Sequence, residues 1–324
     1  MKAVVCRQYG PPETLVVEDV PSPAPGADQV VVTVKAAGVN FPDTLIIQNK
    51  YQFKPPLPFS PGAEMAGIVK SVGDGVANVK PGDAVCGIGL WGAFAEEVLI
   101  GASDLSVLPP AMPFDIAGSF ALTYCTSYHA LVDRGELKSG ETLLVLGAAG
   151  GVGLAAVELG KAAGARVIAA ASSDEKLAVC RLHGADETVN YSTENLRERI
   201  KSLTGGKGVD VIYDPVGGSL SELALRDMAW RGRHLVVGFA AGEIPKIPLN
   251  LLLLKGCSIV GVFWGGLVRQ DPGARDRIMQ RLFGLYAAKK INPLVSARYP
   301  LERAADALNA VLLRKVTGKV VLEP

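Results

Sequence analysis

The chain has 324 residues, 49% of them hydrophobic, and its 33 Lys and Arg residues nearly balance 32 Asp and Glu residues. This length suits two domains with substantial cores. The even charge, with no block of one sign, gives no indication of a nucleic-acid track or of binding to an anionic membrane surface. We expect a small-molecule ligand instead.

The cysteines and the N-terminus indicate the compartment. The five cysteines are scattered and include no Cys-x-x-Cys pair, which is typical of reduced core thiols. The opening segment MKAVVCRQYG lacks the long apolar run of a secretory signal. We therefore expect a cytoplasmic protein that does not enter the membrane.

Short β-like runs separated by turns fill the chain up to about residue 110, among them QVVVTVKAAG, MAGIVKSVG, DAVCGIG and FAEEVLI. Runs of this length with turn residues between them predict an antiparallel, barrel-like domain.

From about residue 121 strands and helices alternate, as in ETLLVLG, ARVIAAA, DEKLAVCRLHG, ETVNY and VDVIYD. Apolar strands that alternate with amphipathic helices predict a parallel sheet covered on both faces. We count six strands, the number in a full dinucleotide-binding fold. The stretch LLLLKGCSIVGVFWGGLV is interrupted by Lys255, Gly256 and Gly261, so it predicts a short buried helix and a buried strand rather than a membrane span.

The C-terminal tail, which contains a helix and a last β-like run, has no place in that sheet. We expect it to return to the first domain and make that domain discontinuous. The predicted organisation is residues 1–121 and 267–324 for the barrel-type domain, with residues 122–266 for the nucleotide-binding domain.

The segment LLVLGAAGGVGLAAVELG places glycines between an apolar strand and an alanine-rich helix. In a βαβ unit such a turn lets the backbone approach a pyrophosphate, and the helix N-terminus supplies unpaired N–H groups to it. The first glycine of the usual G-x-G-x-x-G pattern is Ala148 here. The predicted cofactor-binding residues of this turn are Gly150, Gly151, Val152 and Gly153.

The stretch AAASSDEK ends the second strand, where an acidic residue is expected if the ligand carries a free ribose 2′-hydroxyl. That place is taken by Ala171, with Ser172, Ser173 and Lys176 after it. Hydroxyls and an ammonium suit a 2′-phosphate, so the pattern favours NADPH over NADH. The alternative is that Ser173 or Asp174 caps the next helix and that Lys176 is solvated surface.

The whole chain resembles the zinc-independent quinone oxidoreductases of the medium-chain dehydrogenase/reductase superfamily, the family that includes zeta-crystallin. The segments that carry the resemblance run from end to end and include AAGVNFPDTLIIQNKY, PFSPGAEMAGIV, VKPGDAVCGIG, GAAGGVG, YDPVGG and TGKVVL. The resemblance implies an α/β fold with a Rossmann domain inserted in a split GroES-like domain. It places the nicotinamide in the cleft between them.

Zinc-dependent members of the superfamily have a cysteine where this chain has Asn40 and a histidine where it has Ala63. Catalytic zinc requires three protein ligands, and Glu64 alone does not supply them. The cysteine-rich loop for structural zinc is also absent from the sequence, so we predict no metal.

The resemblance also implies the roles of several side chains. Asn40 and Tyr51 face the active cleft, where Asn40 would donate a hydrogen bond to a carbonyl and Tyr51 a hydrogen bond or a proton. The alternatives are that Asn40 fixes a local turn and that Tyr51 packs in a proline-rich loop. For the aromatic residues at strand ends, Phe239, Phe263 and Trp264, the alternative is an ordinary place in the core. The remaining positions that match cofactor contacts in relatives are Phe41, Asp43, Thr126, Tyr128, Phe239, Ala240, Phe263, Trp264, Gly265 and Arg314. Tyr191, at the end of the next strand in VNYS, is a further candidate contact for the phosphate or the adenine. The alternative for Tyr191 is a strand-end aromatic with its hydroxyl in water.

Hydride transfer to a quinone gives a resonance-stabilised anion that solvent protonates, whereas an enone or enoyl thioester needs a proton donor such as a tyrosine. We rank a quinone or similar activated carbonyl first and enone or enoyl-thioester reduction second. A third hypothesis, from relatives that bind NADPH with little turnover, is a structural or RNA-binding protein, which the near-neutral charge does not favour. Relatives also suggest a homodimer that pairs through the sixth strand, CSIVGVFW.

Overall fold

The computed structural model describes all 324 residues and forms two compact units. Unit 1 comprises Met1–Leu122 and Pro293–Pro324, and unit 2 comprises Thr123–Asn292. No helix is both long and apolar enough to cross a bilayer.

The strands, numbered along the chain, are β1 (Lys2–Val5), β2 (Val16–Asp19), β3 (Gln29–Val39), β4 (Glu64–Val72), β5 (Ala84–Ile88), β6 (Glu97–Gly101), β7 (Leu105–Val107), β8 (Thr142–Leu146), β9 (Arg166–Ala171), β10 (Glu187–Asn190), β11 (Val209–Asp214), β12 (Met228–Val236), β13 (Ser258–Gly261), β14 (Val295–Pro300) and β15 (Lys319–Glu323).

The α-helices are α1 (Phe41–Ile46), α2 (Phe114–Ala117), α3 (Ala121–Tyr128), α4 (Gly151–Ala162), α5 (Asp174–Leu182), α6 (Leu196–Thr204), α7 (Gly218–Leu225), α8 (Asn250–Lys255), α9 (Trp264–Gln270), α10 (Ala274–Ala287) and α11 (Ala304–Leu312). A π-helical stretch, His129–Arg134, follows α3, and short 3₁₀ turns cover Pro12–Thr14, Ala102–Asp104 and Leu301–Arg303.

Unit 1 is built on a mixed sheet of seven strands. Its order is β14-β15-β3-β4-β5-β7, with β6 also paired to β3, and β1 and β2 form a separate hairpin. Strand β15 lies antiparallel to β3, with Val320 opposite Val39. The tail therefore returns to the first domain, as predicted from the sequence.

Unit 2 contains the predicted parallel sheet of six strands, in the order β10-β9-β8-β11-β12-β13. Every neighbouring pair is parallel, for example Leu144 opposite Ile168 and Ile212 opposite Leu144. The central strands β8 and β11 are largely apolar, and all their residues except Thr142 and Asp210 are buried, as expected for strands covered by helices on both faces. This arrangement brings the carboxyl ends of all six strands to one edge of the sheet.

The second domain boundary differs from the predicted one, which lay between residues 266 and 267. Residues up to Asn292 belong to unit 2, because α10 buries its apolar face there. On α10, Met279 Sδ lies 3.4 Å from Cys125 Sγ. Beyond the helix, the Asn292 N–H donates to Glu158 Oε2 at 3.0 Å. The sequence pattern indicated the end of the sixth strand but not where the following helices pack.

The segment around α8 and β13 was expected to be buried, and in the single chain it is not. Leu253 and Leu254 on α8 are 80% and 70% exposed, and Ile259 on β13 is 37% exposed. Strand β13 is also an edge of the sheet, with a neighbour on one side only. Apolar residues therefore remain uncovered along this edge.

Asp214, the last residue of β11, holds the turn YDPVGG at the carboxyl edge of the sheet. Its Oδ1 accepts from the N–H groups of Val216 and Gly217, each at 2.9 Å. Its Oδ2 accepts from the Ser221 hydroxyl and lies 3.0 Å from His234 Nε2. Burial alone would raise the pKa of Asp214, but the hydrogen bonds from His234, Ser221 and Gly217 outweigh it and hold that pKa below its usual value.

We expect Asp214→Asn to lower the free energy of unfolding by about 2–3 kcal/mol at pH 7, because the amide N–H₂ faces two donors. The pKa of the aspartate is depressed in the folded protein, so its stabilisation is present above the unfolded pKa of about 4 and is lost as pH falls through the folded value. The difference between the two proteins should therefore shrink below about pH 4. Urea titrations monitored by circular dichroism measure both effects.

The matched control is Glu222→Gln on α7, which removes the carboxylate of a half-exposed ion pair with Arg226. We expect this control to change stability by less than about 0.5 kcal/mol. Equal stabilities for the two substitutions would contradict the assigned role of Asp214.

Candidate active site

The turn between β8 and α4 has the geometry of an anion-binding loop. Gly147 adopts a φ of +58°, and Gly150 precedes the helix without any side-chain cap. The first bond of the helix runs from Leu154 N to Gly150 O at 2.7 Å. The N–H groups of residues 151–153 therefore have no partner within the helix and remain available to a ligand.

Glycine at position 153 is required by close packing. A Cβ placed there would lie 2.3 Å from the Gly147 carbonyl oxygen and 2.9 Å from the Ala148 Cα. A Cβ at Gly150 would instead meet only the Gly147 oxygen, at 3.5 Å. The turn is thus tight on the sheet side and open beside Gly150.

The end of β9 brings together the residues of the AAASSDEK stretch. Lys176 Nζ donates to Ser172 Oγ at 3.3 Å, while Ser173 Oγ accepts from the Lys176 backbone N–H at 3.4 Å. Ser173 therefore caps α5, and the ammonium of Lys176 is next to a hydroxyl rather than in bulk solvent. The last residue of β9 is the buried Ala171, and the acidic residues Asp174 and Glu175 come after it, in the first turn of α5.

Tyr191 follows β10 and lies beside the same strand end. Its N–H donates to Ala171 O at 3.1 Å, and its half-buried ring packs against the core of unit 2. The Ser192 hydroxyl donates to Ser172 O at 3.0 Å. The structure thus places the backbone of Tyr191 and Ser192 beside the end of β9.

The predicted residues after β12 and β13 are at the same edge but differ in exposure. Phe239 and Phe263 are 36% and 49% exposed, and Ala240 N donates to Pro215 O at 3.0 Å. The ring of Trp264 is buried in unit 2, which favours a packing role, and Gly265 adjoins Phe263.

On α3, Ser127 donates to Val152 O at 2.9 Å and so holds this helix against the glycine turn. The half-buried residues Thr126 and Tyr128 flank Ser127 and are therefore near the start of α4. Arg314 belongs to unit 1, where it is exposed in the turn after α11 with a φ of +55°.

In unit 1, Asn40 is held at every polar atom. Its N–H donates to Asp43 Oδ2 at 2.8 Å, and its Nδ2 donates to Gly38 O and to Glu64 Oε2, both at 3.1 Å. A Cβ on Gly38 would lie 2.7 Å from Glu64 Oε2, so glycine allows this approach. Both hydrogens of the amide are used inside the protein, and none is left for a substrate carbonyl. The geometry favours the alternative in which Asn40 fixes the turn.

Lys319 completes this cluster, which we call the Asn40–Glu64–Lys319 cluster. Its Nζ donates to Asn40 Oδ1 at 2.5 Å, to Val39 O at 3.0 Å and to Glu64 Oε2 at 3.3 Å. The side chain of Glu64 is fully buried and that of Lys319 is 8% exposed. Sequence reasoning missed Lys319; the one signal for it was a lysine that opens the apolar run KVVL.

Asp43 and Tyr51 lie beside the cluster. Burial raises the pKa of Asp43 to about 7, although the hydrogen bond from Asn40 and the charge of Lys319 oppose this rise. Burial, and then the nearby Asp43 carboxylate, raise the pKa of Tyr51. The Tyr51 ring packs edge-on against Phe53 at 5.7 Å, and its hydroxyl makes no hydrogen bond within the protein. Phe41, the first residue of α1, is half-buried.

No group of three or more His, Cys, Asp or Glu side chains in the chain is arranged to hold a metal ion. Asn40 Oδ1 and Glu64 Oε2 instead accept hydrogen bonds from the Lys319 ammonium.

Comparisons with known proteins bear on the whole chain. Residues 26–111 match the model of the alcohol dehydrogenase GroES-like domain, and residues 151–280 match that of the zinc-binding dehydrogenases. The quinone oxidoreductase-like protein 2 homolog of Nematostella vectensis is 42% identical over 99% of this chain and 88% of its own length. A quinone oxidoreductase of Pseudomonas aeruginosa is 36% identical over 100% of this chain and 99% of its own.

The solved structure of Escherichia coli quinone oxidoreductase complexed with NADPH superposes with a TM-score of 0.94 at 33% identity, covering 100% of both chains. These matches extend over both units and agree with the α/β fold described above. The chain belongs to the quinone oxidoreductase family of the medium-chain dehydrogenases/reductases.

Proposed function

We propose that this protein is an NADPH-dependent oxidoreductase that reduces a quinone or a similar activated carbonyl compound without a metal. The observation that carries the proposal is the end of β9, where Lys176 Nζ donates to Ser172 Oγ and the last residue of the strand is Ala171 rather than an acid. Relatives named quinone oxidoreductase, one of them solved with NADPH, support the reaction class and the coenzyme.

The residues of unit 2 fit the coenzyme. The unpaired N–H groups of residues 151–153 suit the pyrophosphate, and Gly150 leaves room for it. Ser172 and Lys176 suit a 2′-phosphate through charge-assisted hydrogen bonds, whereas an acid at position 171 would repel it. When bound, NADPH supplies the hydride, and the chain itself supplies binding, orientation and electrostatics.

Unit 1 carries Tyr51, the group best suited to act on the acceptor. Its raised pKa keeps the phenol protonated at neutral pH, and its hydroxyl has no partner inside the protein. A phenol in this state stabilises a developing oxyanion or delivers a proton. This property also favours the second candidate, reduction of an enone or enoyl thioester, which requires that proton.

A metal-free reaction is supported by the chemistry of the cluster in unit 1. The position where zinc-dependent relatives have a cysteine is Asn40, whose oxygen accepts a hydrogen bond from the Lys319 ammonium. The Lys319 ammonium thus supplies a positive charge beside Asn40 Oδ1 and Glu64 Oε2, where a metal ion would otherwise have to supply it.

We also propose that two copies pair through β13. This strand is an edge of the parallel sheet, and Ile259, Leu253 and Leu254 are exposed along it. Pairing with a second copy would satisfy the free backbone groups of the edge and cover apolar side chains.

Lys176→Ala should weaken NADPH binding about tenfold, because one charge-assisted contact with the 2′-phosphate is lost. NADH, which lacks that phosphate, should bind within about twofold of the original protein. Titration of coenzyme fluorescence measures both affinities. Lys201→Ala, at an exposed lysine on α6, is the control and should change neither; equal losses for NADPH and NADH in the Lys176 variant would refute the assignment.

An assay of NADPH oxidation against quinones, enones and enoyl thioesters tests the reaction class. We expect quinones to be the best acceptors and the rates to survive treatment with a chelator. Tyr51→Phe should leave quinone reduction within about threefold but slow enone reduction about 100-fold, since general acid catalysis contributes that much. A larger loss with quinones than with enones would contradict the role of Tyr51, and loss of all activity on chelation would contradict the metal-free reaction.

Light scattering should give the mass of two chains, and Ile259→Lys should give that of one, because a charge on an edge strand opposes pairing. Val107→Lys is the matched control: Val107 is 51% exposed on β7, an edge strand of unit 1, and its substitution should leave the mass unchanged. A monomer before substitution would end the proposal.

A further inference from the structure

The Asn40–Glu64–Lys319 cluster contains a complete, desolvated ion pair inside unit 1. An ammonium has three N–H donors, and Lys319 uses them on Asn40 Oδ1, Val39 O and Glu64 Oε2. Lys319 and Glu64 are 7% and 0% exposed as whole residues. Water has little access to either charge, so each charge is balanced by the other and by hydrogen bonds inside the protein.

Such a pair is a poor way to stabilise a fold. The cost of removing both charges from water often exceeds their attraction, and apolar residues of similar size serve as well or better. Strand β15 is otherwise apolar, with Val320, Val321 and Leu322 buried in the core. A residue retained here for packing alone would not need a charge.

The pair instead fixes the starts of three elements. Lys319 and Glu64 together hold the Asn40 side chain, which precedes α1. Glu64 begins β4, and its Oε1 accepts from the Leu122 N–H at 2.7 Å, in the first turn of α3. Asn40 also transmits the constraint to Asp43 through its backbone N–H. The α1 segment then leads directly to Tyr51.

We propose that Lys319 is a positioning residue for acceptor reduction: its ammonium is a fixed internal cation that orients Asn40 and thereby the α1–Tyr51 segment. The role rests on the proposed function, in which Tyr51 faces the acceptor. In this role Lys319 and Glu64 together orient Asn40, which neither coenzyme binding nor folding requires.

The charges around Asp43 support this arrangement. The groups that face its carboxyl are Lys319 on β15, Glu64 on β4 and Tyr51 in the loop after α1. Burial raises the pKa of Asp43 to about 7, and the positive charge of Lys319 restrains that rise. Without Lys319 the pKa of Asp43 would therefore rise further.

The first test compares Lys319→Met with the double variant Lys319→Met/Glu64→Gln. The single variant leaves the Glu64 carboxylate buried without its cation, so we expect a lower melting temperature and a kcat for acceptor reduction about 10-fold to 100-fold lower. The double variant removes both charges and should recover most of the melting temperature, while kcat stays low because Asn40 Oδ1 still lacks its donor.

The dissociation constant for NADPH, measured without acceptor, should stay within about twofold in both variants. Lys315→Met, at an exposed lysine in the turn before β15, is the control and should match the unaltered protein in every readout. Recovery of both melting temperature and kcat in the double variant would show that Lys319 serves the fold alone and would overturn the proposal, as would an unchanged kcat in either variant.

Hydrogen exchange provides a readout that does not depend on turnover. In the double variant the amides of Asp43 and Lys50, bonded to Asn40 O and Leu45 O at either end of α1, should exchange about tenfold faster than in the unaltered protein. Unchanged exchange would overturn the positioning role. If the unaltered protein reduces no acceptor at all, the proposed function fails, and the exchange rates still decide whether Lys319 orients α1.

Discussion

The pairing of β15 with β3 is the contact on which the polar site of unit 1 depends. It joins the last strand of the chain to a strand near its beginning and brings Lys319 within 2.5 Å of Asn40 Oδ1 across 279 residues of sequence. Until β15 docks, Asn40 and Glu64 have no cation and Glu64 would be a buried, unpaired carboxylate. The contacts that hold Asn40, just before α1, thus include one from the last strand of the chain.

A different constraint shapes unit 2. Parallel strands deliver their carboxyl ends to one edge, where the glycine turn, the end of β9 and the turn held by Asp214 lie side by side. The backbone provides the anion-binding groups, and single side chains modify them. In the proposed function, coenzyme choice depends on a few side-chain atoms at the end of β9, those of Ser172 and Lys176.

Much of this could be predicted from the sequence because it depends on local pattern. The alternation of apolar strands and helices predicted the six-stranded sheet, and the glycine turn predicted the start of α4; the structure confirms both. The roles of the candidate catalytic and cofactor-binding side chains stay predictions. Lys319 was not found, because its partners lie far away in the chain and a lysine before an apolar run has no local meaning. The boundary at Asn292 was missed for a related reason: where α10 packs depends on tertiary contacts such as that of Met279 with Cys125.

Asn40 illustrates how geometry changes the interpretation of a residue. Its place in the family pattern suggested a donor to the substrate, yet its amide hydrogens are bound to Gly38 O and Glu64 Oε2 and its oxygen accepts from Lys319. Turning the amide around would direct N–H groups at the ammonium, so this orientation is the one that satisfies every atom. Asn40 is therefore held by its neighbours, which leaves the proposed role at the acceptor to the Tyr51 hydroxyl, a group with no partner inside the protein. Within the Asn40–Glu64–Lys319 cluster the polar groups are saturated with each other, whereas the hydroxyl of Tyr51 beside the cluster is not.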